Sequence, residues 1–108
     1  MPTVGRLDEL FHTLSFSGIV DISRYPEFRE SFTQTPHAVP VLVDLTEATA
    51  VDSTFLSEML LFRHRRTGRV AILIPRAGDL PHLFAMVKMH SKIGVFTDRA
   101  SAIQELLR

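Results

Sequence analysis

Asp52, Ser53 and Thr54 are the residues of this chain best placed to do chemistry. They follow an apolar run, Val39 with Val41, Leu42 and Val43, that ends at Asp44 and gives way to a short polar connection. From Ser53 onward the apolar residues recur at helical spacing. A strand, a loop and a helix with hydroxyls in its first turn make a place where a phosphate can sit. Free backbone N–H groups and the positive end of the helix dipole meet there. The same residue types are also favoured helix caps, because their side-chain oxygens accept from an otherwise orphaned N–H. No capping box accompanies Ser53, since Leu56 stands three residues later where Glu or Gln would be needed. A phosphoryl group on Ser53 would bring a charge of about −2 to the positive helix end, where the fold tolerates it. Its effect is expected on a docked partner, through desolvation and repulsion.

Other chemistry finds little footing. The five histidines, His12, His37, His64, His82 and His90, never pair at i, i+4, and there is no cysteine, so no metal site is expected. Ser53 with a distant histidine and Asp44 can be drawn as a hydrolase triad. No Gly-x-Ser-x-Gly elbow surrounds Ser53, however. The five glycines are scattered and form no phosphate-binding loop. Neither a catalytic residue nor a cofactor is expected. Arg63-His64-Arg65-Arg66 reads as cations complementing the C-terminal end of a helix dipole. With a net charge of +0 and no interleaved aromatics, nucleic-acid binding is not expected.

These residues need a scaffold. The chain has 108 residues, of which 45% are hydrophobic, which suits one domain over 1–108 with a substantial core. The absence of cysteine suits a reducing cytoplasm. The N-terminus has acidic residues where a leader would have basic ones, and lacks an apolar h-region. The longest apolar runs fall well short of the roughly 18 residues a membrane span needs. A cytoplasmic protein without membrane insertion is the expectation.

The pattern predicts strands at Leu14–Ile22, Val39–Leu45, Arg69–Pro75 and Ile93–Phe96. It predicts helices at Ser23–Thr33, Ser53–Arg66, Pro81–Met89 and Ala100–Leu107. Alternating strands and helices imply an α/β fold with about four helices and a mostly parallel sheet of four or five strands. Val39–Leu45 and Arg69–Pro75 are its expected central strands, with Val41 and Ile72 buried. The first strand has no helix before it and could pair antiparallel at an edge. On the helix that begins at Ser53, residues Phe55, Leu56, Met59, Leu60 and Phe62 share one arc, the expected core face. Leu61 falls among the polar residues opposite and could extend a docking patch next to Ser53.

The order and spacing of several short motifs resemble the STAS family, the domain of bacterial anti-sigma factor antagonists. Gly18-Ile19-Val20-Asp21 stands where the family has Gly-Glu-Leu-Asp, and Asp44-Leu45 where it has Asp-Leu after the central strand. Asp52-Ser53-Thr54 stands at the start of its Asp-Ser-Ser/Thr-Gly-Leu-Gly signature. The segment from Leu83 to Leu107 looks like the family's closing helix, short strand and terminal helix. The resemblance implies a STAS-like domain without enzymatic activity, with Ser53 as the phosphoacceptor. It implies a partner-binding surface of Asp21, Asp52, Ser53, Thr54, Phe55, Ser57 and Leu61. The implied partner is an anti-sigma factor that is also a serine kinase; oligomeric state is not implied. Two positions depart from the pattern: Phe55 and Ser57 stand where the signature has glycines. Glycine there admits a partner's backbone or a kinase's nucleotide. The Phe55 ring either turns inward with Met59 and Phe62, or lies over the site as an obstruction or an anchor. Two alternatives stay open. One is a STAS subunit docking on a transporter ATPase or stress-signalling scaffold without a phosphorylation cycle; the other is a small serine hydrolase using Ser53.

Overall fold

Val41, Leu42 and Val43 are all fully buried, and a strand with side chains on alternate faces can achieve this only if both faces of its sheet are covered. The computed structural model, which describes residues 10–108, has that arrangement. The N-terminal stretch 1–9, on which the reading of a missing leader partly rests, lies outside the described residues. The elements run β1 (His12–Ser15), β2 (Gly18–Val20), α1 (Tyr25–Gln34), β3 (Val41–Asp44), β4 (Ala48–Val51), α2 (Ser53–His64), β5 (Val70–Leu73), α3 (Leu80–Met86), β6 (Gly94–Phe96) and α4 (Arg99–Leu107). The main sheet has four strands in the order β1-β3-β5-β6, all parallel. A second sheet joins β2 to β4, also in parallel. The expected α/β architecture is therefore present, with β3 and β5 central and Val41 and Ile72 buried.

Register explains the two cores. Val41 and Val43 of β3 face the same side as Val70 and Ile72 of β5. There they meet Phe28 and Phe32 of α1, Phe55, Met59 and Phe62 of α2, and Leu80 and Phe84 of α3. Leu42, Ala71 and Leu73 face the other side, against Ala102 and Leu106 of α4. Phenylalanine dominates the larger core. Phe55 meets Phe28 edge-on with ring centroids 5.2 Å apart, and Phe16 at the same distance. Such pairs add about 0.5–1.5 kcal/mol each beyond the area they bury.

Several sequence expectations are corrected. The predicted strand Leu14–Ile22 is two strands in different sheets. Gly18, with φ +71°, turns the chain between them, a conformation that side chains rarely adopt. The first strand pairs parallel with β3, not antiparallel. The polar connection before Asp52 contains β4, whose Thr49 and Ala50 are exposed, so hydropathy gave little sign of it. The helix predicted over Pro81–Met89 ends at Met86, because Lys88 takes a left-handed φ of 56° and a 3₁₀ turn follows at Met89–Ser91. The helix from Ser53 ends at His64, short of Arg66. The Arg66 side chain instead reaches the Pro36 carbonyl at 2.7 Å and the Val39 carbonyl.

Candidate interaction site at the start of α2

Asp52 is the N-cap of α2 and Ser53 its first helical residue. The Asp52 backbone is extended, at φ −113° and ψ 179°, which frees its side chain to fold over the helix end. Oδ1 accepts the N–H of Phe55 at 3.0 Å. Oδ2 accepts the N–H of Ile22 at 2.9 Å, so one carboxylate joins the helix end to the loop after β2. Capping thus falls to Asp52, and the exposed Ser53 hydroxyl is spared for other chemistry. The N–H groups of Ser53 and Thr54 open the helix without intrahelical acceptors and point the positive dipole end outward.

The loop after β2 is held from both sides. Asp21 accepts the Ser23 N–H at 3.0 Å and the Ser23 hydroxyl, capping the 3₁₀ turn Ile22–Arg24. Those bonds, the hydroxyl first, hold the Asp21 carboxyl below the usual carboxylate range. Arg24 donates to the Ser17 carbonyl at 2.5 Å and the Ile19 carbonyl at 3.0 Å, while its other edge pairs with Glu27 at 2.7 Å. The fixed loop leaves Ile19 60% and Ile22 64% exposed, large apolar side chains turned to solvent.

Ser53, Ser57 and Leu61 are all exposed and fall four residues apart along α2, so they form one line on its surface. Ser57 and Leu61 border a groove with Leu60, Arg63, His64 and Lys92, a lining that among the described residues carries cations and no carboxylate. Asp21, Asp52, Ser53 and Thr54 are brought together at one end of this line, with Ser57 and Leu61 running away from them. Phe55 is the exception. Its side chain is fully buried among Phe16, Phe28 and Phe32, so it neither obstructs Ser53 nor offers an anchor to a partner. The three- and four-residue spacing that aligns Phe55 with Met59 and Phe62 decides its direction.

Sequence reasoning missed Ile22 and gave Ile19 no weight of its own. A signal was present: Leu14, Phe16, Ile19, Val20 and Ile22 crowd more apolar positions into nine residues than one strand face can bury. Among the described residues, no histidine hydrogen-bonds to Asp44, the acid of the drawn triad. The Asp44 carboxylate accepts from the Thr46 N–H at 2.9 Å and lies 3.4 Å from Arg99. Among the described residues no group of three or more His, Cys, Asp or Glu side chains could hold a metal ion. No helix of the described residues is long and apolar enough to cross a membrane. Comparison with protein-family models, with curated proteins and with solved structures returns no match.

Proposed function

We propose that this chain is a STAS-like interaction switch. In this reading it docks on an anti-sigma factor that is also a serine kinase, and phosphorylation of Ser53 releases it. One observation carries the reading. Ser53 is an exposed first-turn serine, beside a capping carboxylate that also holds an exposed apolar loop. The unphosphorylated face would present the Ser53 and Ser57 hydroxyls together with Ile22 and Leu61, a polar line flanked by apolar contacts. A phosphoryl group would add a charge of about −2 next to the Asp52 carboxylate. Burying that charge under a partner costs far more than leaving it in water at a helix N-terminus. Such a partner belongs to the bacterial cytoplasm.

The test is phosphorylation by a cognate kinase of the histidine-kinase-like ATPase type, read by mass spectrometry. The reading expects one phosphate on Ser53, none on Ser53→Ala, and loss of the kinase complex after modification. A stable complex with no phosphate on Ser53 would instead support docking on a transporter ATPase or stress-signalling scaffold. Ser57, exposed where the signature has glycine, is the feature that keeps this second reading. Labelling of Ser53 by a serine-reactive phosphonate would point to a hydrolase and against both.

A further inference from the structure

A cavity of about 170 Å³ opens between the last turns of α1 and α2, at the opposite end of α2 from Ser53. Arg29, His37, Arg65 and Arg66 line it, with Glu58 the one carboxylate in the lining among the described residues. Glu58 lies 3.8 Å from Arg29 and is shared with it. The positive charges therefore outnumber the negative at this opening. Arg66 is the unusual member: a guanidinium on a residue only 7% exposed. Its Nη2 serves the carbonyls of Pro36 and Val39, and its guanidinium carbon lies 4.5 Å from the centre of the Phe62 ring. Its Nε is buried and has no acceptor among the described residues.

Capping explains part of this arrangement. Cations near helix C-termini complement the dipole, and the Pro36 and Val39 carbonyls of the loop before β3 account for Nη2. It does not account for a buried, unpartnered Nε, because burying a donor without an acceptor is costly. Nor does it account for Arg29, which lies on α1 yet borders the same opening, whereas His37 belongs to the capping: its Nδ1 lies 3.1 Å from the Arg65 carbonyl. The cavity also has an apolar wall, where Phe32 and Phe62 stack with ring centroids 4.6 Å apart. At about 30 Å³ per water in the liquid, the space exceeds what a single bridging water would fill.

We propose that this cavity binds a small organic oxyanion, a carboxylate or phosphate on a planar or apolar body. The arginines take the charge and the Phe32–Phe62 stack takes the body. Guanidinium groups suit this role because they present forked donors to planar oxyanions and stack on aromatic faces. The site is separate from the Ser53 surface, and the proposal stands or falls independently of the switch reading.

The test is an NMR titration of the ¹⁵N-labelled protein with benzoate, phenyl phosphate, inorganic phosphate and the neutral benzamide. Saturable shifts at the amides of Thr35, His37 and Arg65 are expected with benzoate and phenyl phosphate, and weaker ones with inorganic phosphate. Arg65→Gln and Arg29→Gln change exposed side chains and leave the fold in place. Each should weaken benzoate by about tenfold or more, the loss of one charge-assisted contact. Arg66→Lys, which keeps charge but removes Nε, should weaken it as well. No saturable shift in the millimolar range, equal binding of benzamide, or unchanged affinity in both glutamine variants would overturn the proposal. The cavity would then hold ordered water only.

Discussion

Asp52 ties Ile22 to the head of α2: its Oδ2 accepts the Ile22 N–H at 2.9 Å, while Oδ1 accepts that of Phe55 at 3.0 Å. One side chain therefore sets both where the helix begins and where the exposed Ile22 stands. A charge placed on Ser53 arrives next to that bridge. Asp52→Ala removes both bonds and should destabilise the protein by roughly 1–3 kcal/mol, combining a lost cap with a lost charge-assisted hydrogen bond at a partly exposed site. Asp52→Asn keeps an acceptor for one of the two donors and should cost less. Urea unfolding gives the stabilities, and faster hydrogen exchange at the Ile22 amide in both variants would identify the bridge.

Ser53→Asp should separate folding from docking. A carboxylate in the first turn gains about 0.3–1 kcal/mol from the helix dipole, and repulsion from Asp52 offsets part of that. Stability should stay within about 1 kcal/mol of the parent. On the switch reading proposed above, a calorimetric titration against an anti-sigma factor that binds the parent should show a much larger loss of binding. Equal losses in both measurements would mean that the substitution acts through the fold.

Phe55→Gly should cost roughly 3–5 kcal/mol for the deleted aromatic, and about 1 kcal/mol more for glycine inside a helix. A small domain has about 5–15 kcal/mol in total, so this variant approaches unfolding. Phe55→Leu refills most of the space and should cost markedly less. Urea denaturation of the pair measures both. A Phe55→Gly protein as stable as the parent would contradict the burial described above.

The elements that were legible in the sequence are those whose pattern is set by burial. β3 and β5 are apolar on both faces because helices cover both, so they appear as continuous runs. Helix α2 shows its core face through Phe55, Met59 and Phe62. β4 was not legible, since a strand with exposed Thr49 and Ala50 alternates too weakly to be told from a loop. The break between β1 and β2 depends on one glycine φ, which hydropathy does not carry. At the site, the grouping of Asp52, Ser53 and Thr54 was visible. The Asp52–Ile22 bond was not, because it joins residues from different elements. The same holds for Arg66, whose position at the end of a basic run gave no hint of its burial against Phe62.

Gly68→Ala should destabilise by about 1–3 kcal/mol, the range for forcing extra atoms into a packed site. A methyl group there would lie 2.7 Å from the Ala38 carbonyl oxygen and press on the Val39 carbonyl that Arg66 holds. Both obstacles are backbone, which cannot swing aside. A thermal melt within a degree of the parent would show that the turn relaxes at no cost.

Acid should loosen α4 through Asp98. This carboxylate caps the helix, accepting the Ser101 N–H at 2.8 Å. Hydrogen bonds from the Ser101 hydroxyl and then its N–H hold the carboxyl below the usual carboxylate range. A depressed folded value means that the contribution is complete above the unfolded pKa of about 4 and is lost as pH falls through the folded value. Asp98→Asn, which cannot titrate, should show a shallower fall in urea midpoint between about pH 5 and pH 2. Asp21, shifted in the same direction by Ser23, keeps its own share of the slope. Parallel curves for parent and variant would remove Asp98 from the acid response.

Every strand ladder described above is parallel, and this governs how the chain reaches its fold. His12 pairs with Val41, and Val41 with Val70, so no rung can form from a local hairpin. Each pairing waits for a crossover to close, which places the protein among slower folders for its size. The order of synthesis adds a further consequence. The edge of β5 is covered only when β6 arrives, with the Ile74 N–H reaching the Phe96 carbonyl at 2.8 Å. Until Gly94–Phe96 has left the ribosome, a nascent chain displays the apolar strand Val70–Leu73 with one side unpaired. The last short strand of this domain is thus its safeguard against aggregation during biosynthesis.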